Sequence, residues 1–320
     1  MIDILALGEV LIDFTCTALD ADGYPTMAAH PGGAPANFLA AAAALGAKAA
    51  IAGKVGADAF GLLLKNTLQC AGIITRGLLL SDDVFTTLAF VTLDKTGDRT
   101  FSFARKPGAD TRITYEELDL SLIDEARAFH FGTLSLTDEP ARTTTQKAVA
   151  YAKKKGKLIT FDPNLRPPLW RELSEAREQM LWGLHQADVV KISDNEVEFL
   201  FDATPQQGAE IILRDFGAKL VFVTCGKDGC WFQNKNAQGM VPALAGIPVV
   251  DTTGAGDIFG GTAVWKVLES GKAPECLTES ELRRIVTFSC TAAGLSTTKP
   301  GGISSVPSMD EICAHLPEKA

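Results

Sequence analysis

Short β-rich runs alternate with segments of helical spacing along most of this chain. Ile2–Leu7, Leu158–Phe161, Asp188–Ile192 and Leu220–Thr224 are such runs. The alternation predicts an α/β fold with a mainly parallel central sheet flanked by helices, because each strand must return to the same edge through a covering helix. Several helix ends are marked. Asp58 stands as a cap before Ala59–Ala71 with Gly72 beyond it, and Thr114 with Glu117 forms a capping box. Lys153-Lys154-Lys155-Gly156 reads as a helix C-terminus, with cations at the negative end of the dipole and glycine past it. One stretch breaks the alternation: Thr86–Leu93 and Arg99–Ala104 are β-like and are joined by Asp94-Lys95-Thr96-Gly97-Asp98, a hairpin signal. Together with the turn-rich stretch Thr15–His30, it predicts a small β lid, inserted at about residues 14–31 and 86–106 of a single domain spanning 1–320.

Charge narrows the partners. Thirty basic and 39 acidic residues leave a net charge of −9, which excludes a broad cationic face for nucleic acid or anionic lipid. An anionic ligand therefore needs a local device. No run reaches the ~18 consecutive apolar residues of a membrane helix, and Met1-Ile2-Asp3-Ile4-Leu5 lacks the basic start of a secretory signal. Seven cysteines without a Cys-x-x-Cys pair read as reduced thiols, and a cytoplasmic location is expected. The four isolated histidines form no zinc pattern.

The local device lies near the C-terminus. Val249-Val250-Asp251-Thr252-Thr253-Gly254-Ala255-Gly256-Asp257-Ile258-Phe259-Gly260-Gly261 enters as a β-like run, turns through small residues and leaves as an apolar helix. Backbone N–H groups of Gly254, Ala255 and Gly256 at the positive end of that helix suit a phosphate, and Asp257 beside them suits a proton acceptor. A plain turn and helix cap uses the same residues. A dinucleotide fingerprint fits less well: Gly254-x-Gly256-x-x-x-Gly260 comes late in the chain, and Pro274 stands where an acidic residue belongs. No Walker A loop is present. At the other end, Asp13 closes Gly8–Asp13, and Pro31-Gly32-Gly33-Ala34-Pro35-Ala36-Asn37 precedes the helical run Phe38–Leu45. Asp13 and Asn37 offer the acceptors and donors that a polyhydroxyl ligand needs, and the glycines let it approach the backbone.

The Gly-Gly-x-x-x-Asn start and the Asp-Thr-Thr-Gly-Ala-Gly-Asp end together resemble the two signatures of the ribokinase or PfkB family of carbohydrate kinases, over nearly the whole chain. The resemblance implies a ribokinase-like fold and an ATP-dependent sugar kinase. It implies Asp257 as catalytic base, the amides of Gly254, Ala255 and Gly256 as anion hole, and Asp13, Gly32, Gly33 and Asn37 as sugar ligands. Lys191-Ile192-Ser193-Asp194-Asn195-Glu196 occupies the place of the family's Asn-x-x-Glu motif, so Glu196 is expected to organise Mg2+ through water. Ser193 departs from the asparagine of many members, and Ser193-x-x-Glu196 is also a capping box. Lys191, Ser193, Thr224, Gly226 and Gly229 are expected at the ATP, although the two glycines also suit a hairpin turn. Asp251, Thr253, Gly301 and Ser305 fall where many relatives bind K+, a hard cation suited to oxygen ligands.

Phe161-Asp162-Pro163-Asn164-Leu165-Arg166 and Phe101–Asp110 resemble segments of the fructokinase branch, with Ala104 in place of a frequent tyrosine. Arg105 and Arg166 are the expected substrate contacts. D-fructose is thus the expected acceptor, with 2-keto-3-deoxygluconate, another ketose or a nucleoside as alternatives and a non-catalytic sugar sensor as a remote one. A homodimer through the lid is expected, and no nucleic-acid or membrane partner.

Overall fold

The computed structural model describes residues 1–93 and 99–317. Its strands are β1 (Ile2–Leu7), β2 (Leu11–Leu19), β3 (Pro25–Gly32), β4 (Ala49–Gly56), β5 (Ile74–Ser81), β6 (Leu88–Leu93), β7 (Arg99–Ala104), β8 (Ala126–Gly132), β9 (Leu158–Asp162), β10 (Val189–Ser193), β11 (Leu220–Thr224), β12 (Cys230–Asn234) and β13 (Gln238–Val241). The α-helices are α1 (Ala34–Ala44), α2 (Ala59–Cys70), α3 (Leu120–Glu125), α4 (Ala141–Lys154), α5 (Leu173–Gln186), α6 (Asp194–Phe201), α7 (Pro205–Phe216), α8 (Ala255–Glu269), α9 (Glu279–Ser296) and α10 (Met309–His315).

Among the described residues the strands form two sheets. The larger has the order β13-β12-β11-β10-β9-β8-β1-β4-β5. Its pairs from β11 to β5 are parallel, and β12 and β13 add an antiparallel edge. Both faces are buried, as a parallel sheet requires. Along β11, Leu220 and Phe222 enter one apolar layer with α1, α8 and α9, while Val221 and Val223 enter the other with α4, α5 and α7. The chain leaves β1 for β4 on one side and later fills β8 on the other. The strand order therefore reverses between β1 and β8, the place where open α/β sheets form a crevice at the carboxyl ends of their strands.

The smaller sheet has the order β3-β2-β6-β7. The β-like runs at 86–93 and 99–104 form the antiparallel pair β6 and β7, while the expected turn at Asp94–Asp98 lies outside the described residues. The stretch Thr15–His30 is more regular than its turn-rich composition predicts: β2 and β3 pair antiparallel across it, with a register shift between Cys16 and Ala18. Pro25 and Pro31 are tolerated because β3 is an edge strand. Asp58 caps α2, accepting from the N–H groups of Phe60 and Gly61. The box of Thr114 and Glu117 closes only a 3-10 turn, Tyr115–Glu117, and α3 starts afterwards under Asp119. Among the described residues, no helix is long and apolar enough to cross a membrane.

Candidate active site

The carboxyl ends of β1, β9 and β10, the start of β2 and the N-termini of α1 and α8 converge on a cleft of about 470 Å3. Asp13, Gly33, Asn37, Arg166, Lys191, Thr253, Gly254, Gly256 and Asp257 line it, so most of the expected sugar and anion residues are brought together. Gly32 lines it indirectly: a Cβ there would lie 2.3 Å from Asp13 Oδ2, so only glycine leaves room for that carboxylate.

Asp257 sits in the first turn of α8 and is buried. Its Oδ2 accepts a hydrogen bond from Asn37 Nδ2 of α1 at 2.9 Å. Burial raises its pKa above the usual carboxylate range, while Lys191, the Asn37 hydrogen bond and Arg166 pull it back. A carboxylate so placed takes a proton more readily than one in water. Asn37 Oδ1 is buried and has no hydrogen-bond partner among the described residues. Burial also pushes Asp13 up to about 7, opposed by Arg166 and reinforced by Asp257 and Asp251.

Lys191 comes from the middle of β10, and its Nζ lies 2.9 Å from Asp162 Oδ2 at the end of β9. Burial favours the neutral amine, but Asp162, Glu196 and Asp257 outweigh it and hold its pKa above the ordinary value. The ammonium therefore stays charged. Lys191, Thr252 and Gly256 also line a second cleft, of about 620 Å3. Ser193, Thr224, Gly226, Gly229 and Ala255 line it, with an apolar wall that includes Leu244, Ile247 and Val249. Gly226 and Gly229 also make the turn between β11 and β12, as a glycine-rich hairpin requires.

The start of α8 joins the clefts. Helix geometry gives the N–H groups of Ala255, Gly256 and Asp257 no intrahelical acceptor. Of these, Ala255 N–H reaches the Thr252 carbonyl at 3.3 Å. Gly254 has φ 76°, the left-handed region that favours glycine, and a Cβ there would stand 3.0 Å from Gly302 Cα.

Glu196 does not line either cleft; both its oxygens accept backbone N–H groups, Oε1 from Leu165 at 2.7 Å and Oε2 from Ser193 at 2.8 Å. It closes the capping box of α6 and fixes the segment before Arg166. Asp251 ties two loops together, Oδ1 accepting from Thr253 N–H at 2.8 Å and Oδ2 from Gly301 N–H at 3.0 Å. Ser305 is buried and donates to the Gly302 carbonyl at 2.8 Å.

Arg105, expected at the substrate, is not brought to either cleft: its buried guanidinium binds Asp110, Thr137 Oγ1 and the Leu134 carbonyl. Asp110 folds back on a 3-10 turn to meet it, which neutralises the charge locally. The lining of the sugar-sized cleft also includes residues not among the expected ones, notably Glu9, and Asn164, which is held at φ 47° with its N–H donated to Asp162 Oδ1. Their position at strand ends was the available signal.

Comparison with known proteins gives a consistent picture. The model for pfkB family carbohydrate kinase matches residues 1–309. Fructokinase-2 of Solanum lycopersicum is 40% identical over 316 residues, 98% of this chain and 95% of its own. Fructokinase-1 of Zea mays is 39% identical over 322 residues, 99% and 98% of the two chains. Among solved structures, fructokinase with bound ATP from Xylella fastidiosa has a TM-score of 0.90 at 30% identity, covering 98% of each chain. Fructokinase from Vibrio cholerae in its fructose-, ADP- and calcium-bound form has a TM-score of 0.86 at 28% identity, covering 99% of each.

Proposed function

The chain belongs to the pfkB family of carbohydrate kinases, and from that premise we propose that it is a fructokinase, transferring the γ-phosphoryl group of ATP to D-fructose to give fructose 6-phosphate and ADP. The observation that carries this is the meeting of two clefts at Lys191 and Gly256, with the buried Asp257 one residue further on. The sugar lies in the cleft of Asp13, Gly33, Asn37 and Asp257, and ATP in the cleft of Thr224, Gly226 and Gly229. The sugar hydroxyl gives its proton to Asp257, its oxygen bonds to the γ-phosphorus, and the bond from that phosphorus to the ADP oxygen breaks. Lys191 and the amides at the start of α8 face the transferring group, where alignment and charge stabilisation supply most of the catalysis.

A neutral ketose suits the sugar cleft better than an acidic sugar. Glu9, Asp13 and Asp257 all line it, three acids against the two cations Arg166 and Lys191, while Arg105, the other guanidinium expected at the substrate, is occupied by Asp110. Nucleotide phosphates would supply Mg2+ with the hard oxygen ligands it favours. Glu196, with both oxygens bound to backbone, acts on Mg2+ through water. Carboxylate, hydroxyl and carbonyl oxygens of Asp251, Thr253, Gly301 and Ser305 suit K+, which would steady the loop leading into α8.

The four-stranded sheet serves as a lid beside the cleft, and its exposed Leu19 and Tyr24 support pairing with a second copy. The unpaired thiols suit the cytoplasm. The test is ADP formation from Mg-ATP with fructose, 2-keto-3-deoxygluconate, ribose, tagatose and adenosine, comparing kcat/KM. Fructose is expected to lead; preference for the acidic sugar would overturn the neutral-acceptor reading.

A further inference from the structure

Glu9 follows Gly8 at the carboxyl end of β1, at the reversal of strand order. It is 2% exposed, yet lines the sugar cleft. Its Oε1 accepts the N–H of Ala34, the first residue of α1, at 2.9 Å. The backbone is fitted here as well: a Cβ on Gly33, whose φ is 107°, would lie 2.5 Å from the Glu9 carbonyl. Glu9 is thus fixed at one oxygen by the helix that carries Asn37, and its second oxygen remains for the cleft. We propose that Glu9 is an acceptor-binding residue of the sugar cleft, whose carboxyl O–H donates a hydrogen bond to a hydroxyl of the bound sugar.

The chemistry of the cleft calls for such a donor. Asp13 and Asp257 are acceptors when ionised, and a sugar hydroxyl that donates to one of them keeps lone pairs that want donors in turn. Burial pushes Glu9 up to about 8; its own N–H and that of Ala34 lower it, Asp110 raises it and Arg105 lowers it. Across the cleft stand Asp13, Arg166, Lys191 and Asp257. At neutral pH Glu9 therefore keeps its proton, and above pH 8 it becomes an anion in the wall of a cleft that Asp13 and Asp257 also line.

The inference rests on the fructokinase reading, and the experiment separates the two. Wild type and Glu9→Gln are compared by kcat/KM for fructose from pH 6 to 9.5 at saturating Mg-ATP. The amide keeps both the acceptor for Ala34 and a donor for the sugar, without titrating. Wild type is expected to lose about tenfold in kcat/KM between pH 7 and 9, following deprotonation of a group in the free enzyme. Glu9→Gln should lack that alkaline fall, its own kcat/KM changing by less than about threefold between pH 7 and 9. An alkaline fall retained in Glu9→Gln, or a loss beyond about thirtyfold at pH 7, overturns the proposal. Should the variant fail to fold, calorimetry of fructose binding to wild type at pH 8.5 in buffers of different ionisation enthalpy decides: proton uptake supports the proposal and its absence overturns it. No fructose turnover by wild type at any pH would instead overturn the reading of the acceptor.

Discussion

The hydrogen bond from Asn37 to Asp257 bridges two helices, α1 and α8, and the distance between those helices is set at Gly261. A Cβ at Gly261 would lie 2.0 Å from the Phe38 carbonyl oxygen, 2.8 Å from its carbonyl carbon and 3.1 Å from its Cα. These are backbone atoms of α1, one residue from Asn37, and no rotamer change moves them. Ordinary van der Waals contact begins near 3.4 Å, so in Gly261→Ala the helices must separate by roughly 1 Å or the backbone must distort. Overpacking of this kind costs about 1–3 kcal/mol. Because the 2.9 Å bond to Asp257 spans the same interface, displacement of that size should also lower kcat by roughly a hundredfold, the effect of misplacing a reacting group. The neighbouring Gly260→Ala is the control, since its Cβ meets only the Phe38 ring, at 3.3 Å. Urea unfolding and steady-state fructose phosphorylation measure both quantities. A Gly261→Ala protein within about 0.5 kcal/mol of wild type and with unchanged kcat would refute the reasoning.

Three further outcomes are expected. Asp257→Asn, which preserves the partner for Asn37, should lower kcat by roughly 10^2–10^4 while fructose binding by calorimetry is retained. Lys191→Met leaves Asp162 buried without its 2.9 Å partner and should cost about 3–5 kcal/mol in urea unfolding; adding Asp162→Asn should restore stability without restoring turnover. Glu9, pushed up to about 8 from 4.5, binds its proton more tightly folded than unfolded, so its stabilising contribution is full below pH 4.5 and is lost as pH rises towards 8. Relative to Glu9→Gln, wild type should therefore lose roughly 3–4 kcal/mol between pH 5 and 8, measured by urea unfolding at each pH.

The parts of the fold legible from sequence were those decided by local pattern. β1 and β11 lie where their apolar runs predict, and the caps at Asp58, Ser193 and the end of α4 follow from hydrogen bonding within a few residues. β3 was obscured because Pro25 and Pro31 argue against a strand unless its edge position is known, and edge position is a property of the whole sheet. The same distinction governs the site. Gly254–Asp257 are four consecutive residues at the start of α8, so their place where the two clefts meet is legible from local pattern. Arg105 could be assigned only after Thr137 and the Leu134 carbonyl, about 30 residues away, were seen to enclose it with Asp110. Glu9 and Asp162 are single acids at strand ends, and only the alignment of β1, β9 and β10 turns them into walls of one cleft and its lysine's anchor.

Net charge of −9 and a polyanionic co-substrate are reconciled at Gly256, where a substitution separates function from stability. A Cβ there would have only Lys191 within 4 Å, its Nζ at 3.0 Å and its Cε at 3.6 Å. Unlike Gly261, the clash is with the end of a flexible side chain, which gives way by a few tenths of an ångström. The methyl group would stand where both clefts meet, beside the amides at the start of α8. Alanine is also the better helix former by about 0.5–1 kcal/mol, and Gly256 occupies the first turn of α8 without a left-handed φ. Gly256→Ala should therefore unfold at the same or higher urea concentration while kcat/KM for ATP falls by roughly tenfold or more, through a displaced ammonium and a hindered phosphate approach. Equal turnover in a protein of equal stability would mean that the phosphoryl group does not pass over Gly256. The start of α8 would then be a helix cap, and the positive charge serving ATP would have to come from the lysines that line its cleft, Lys191 and Lys227.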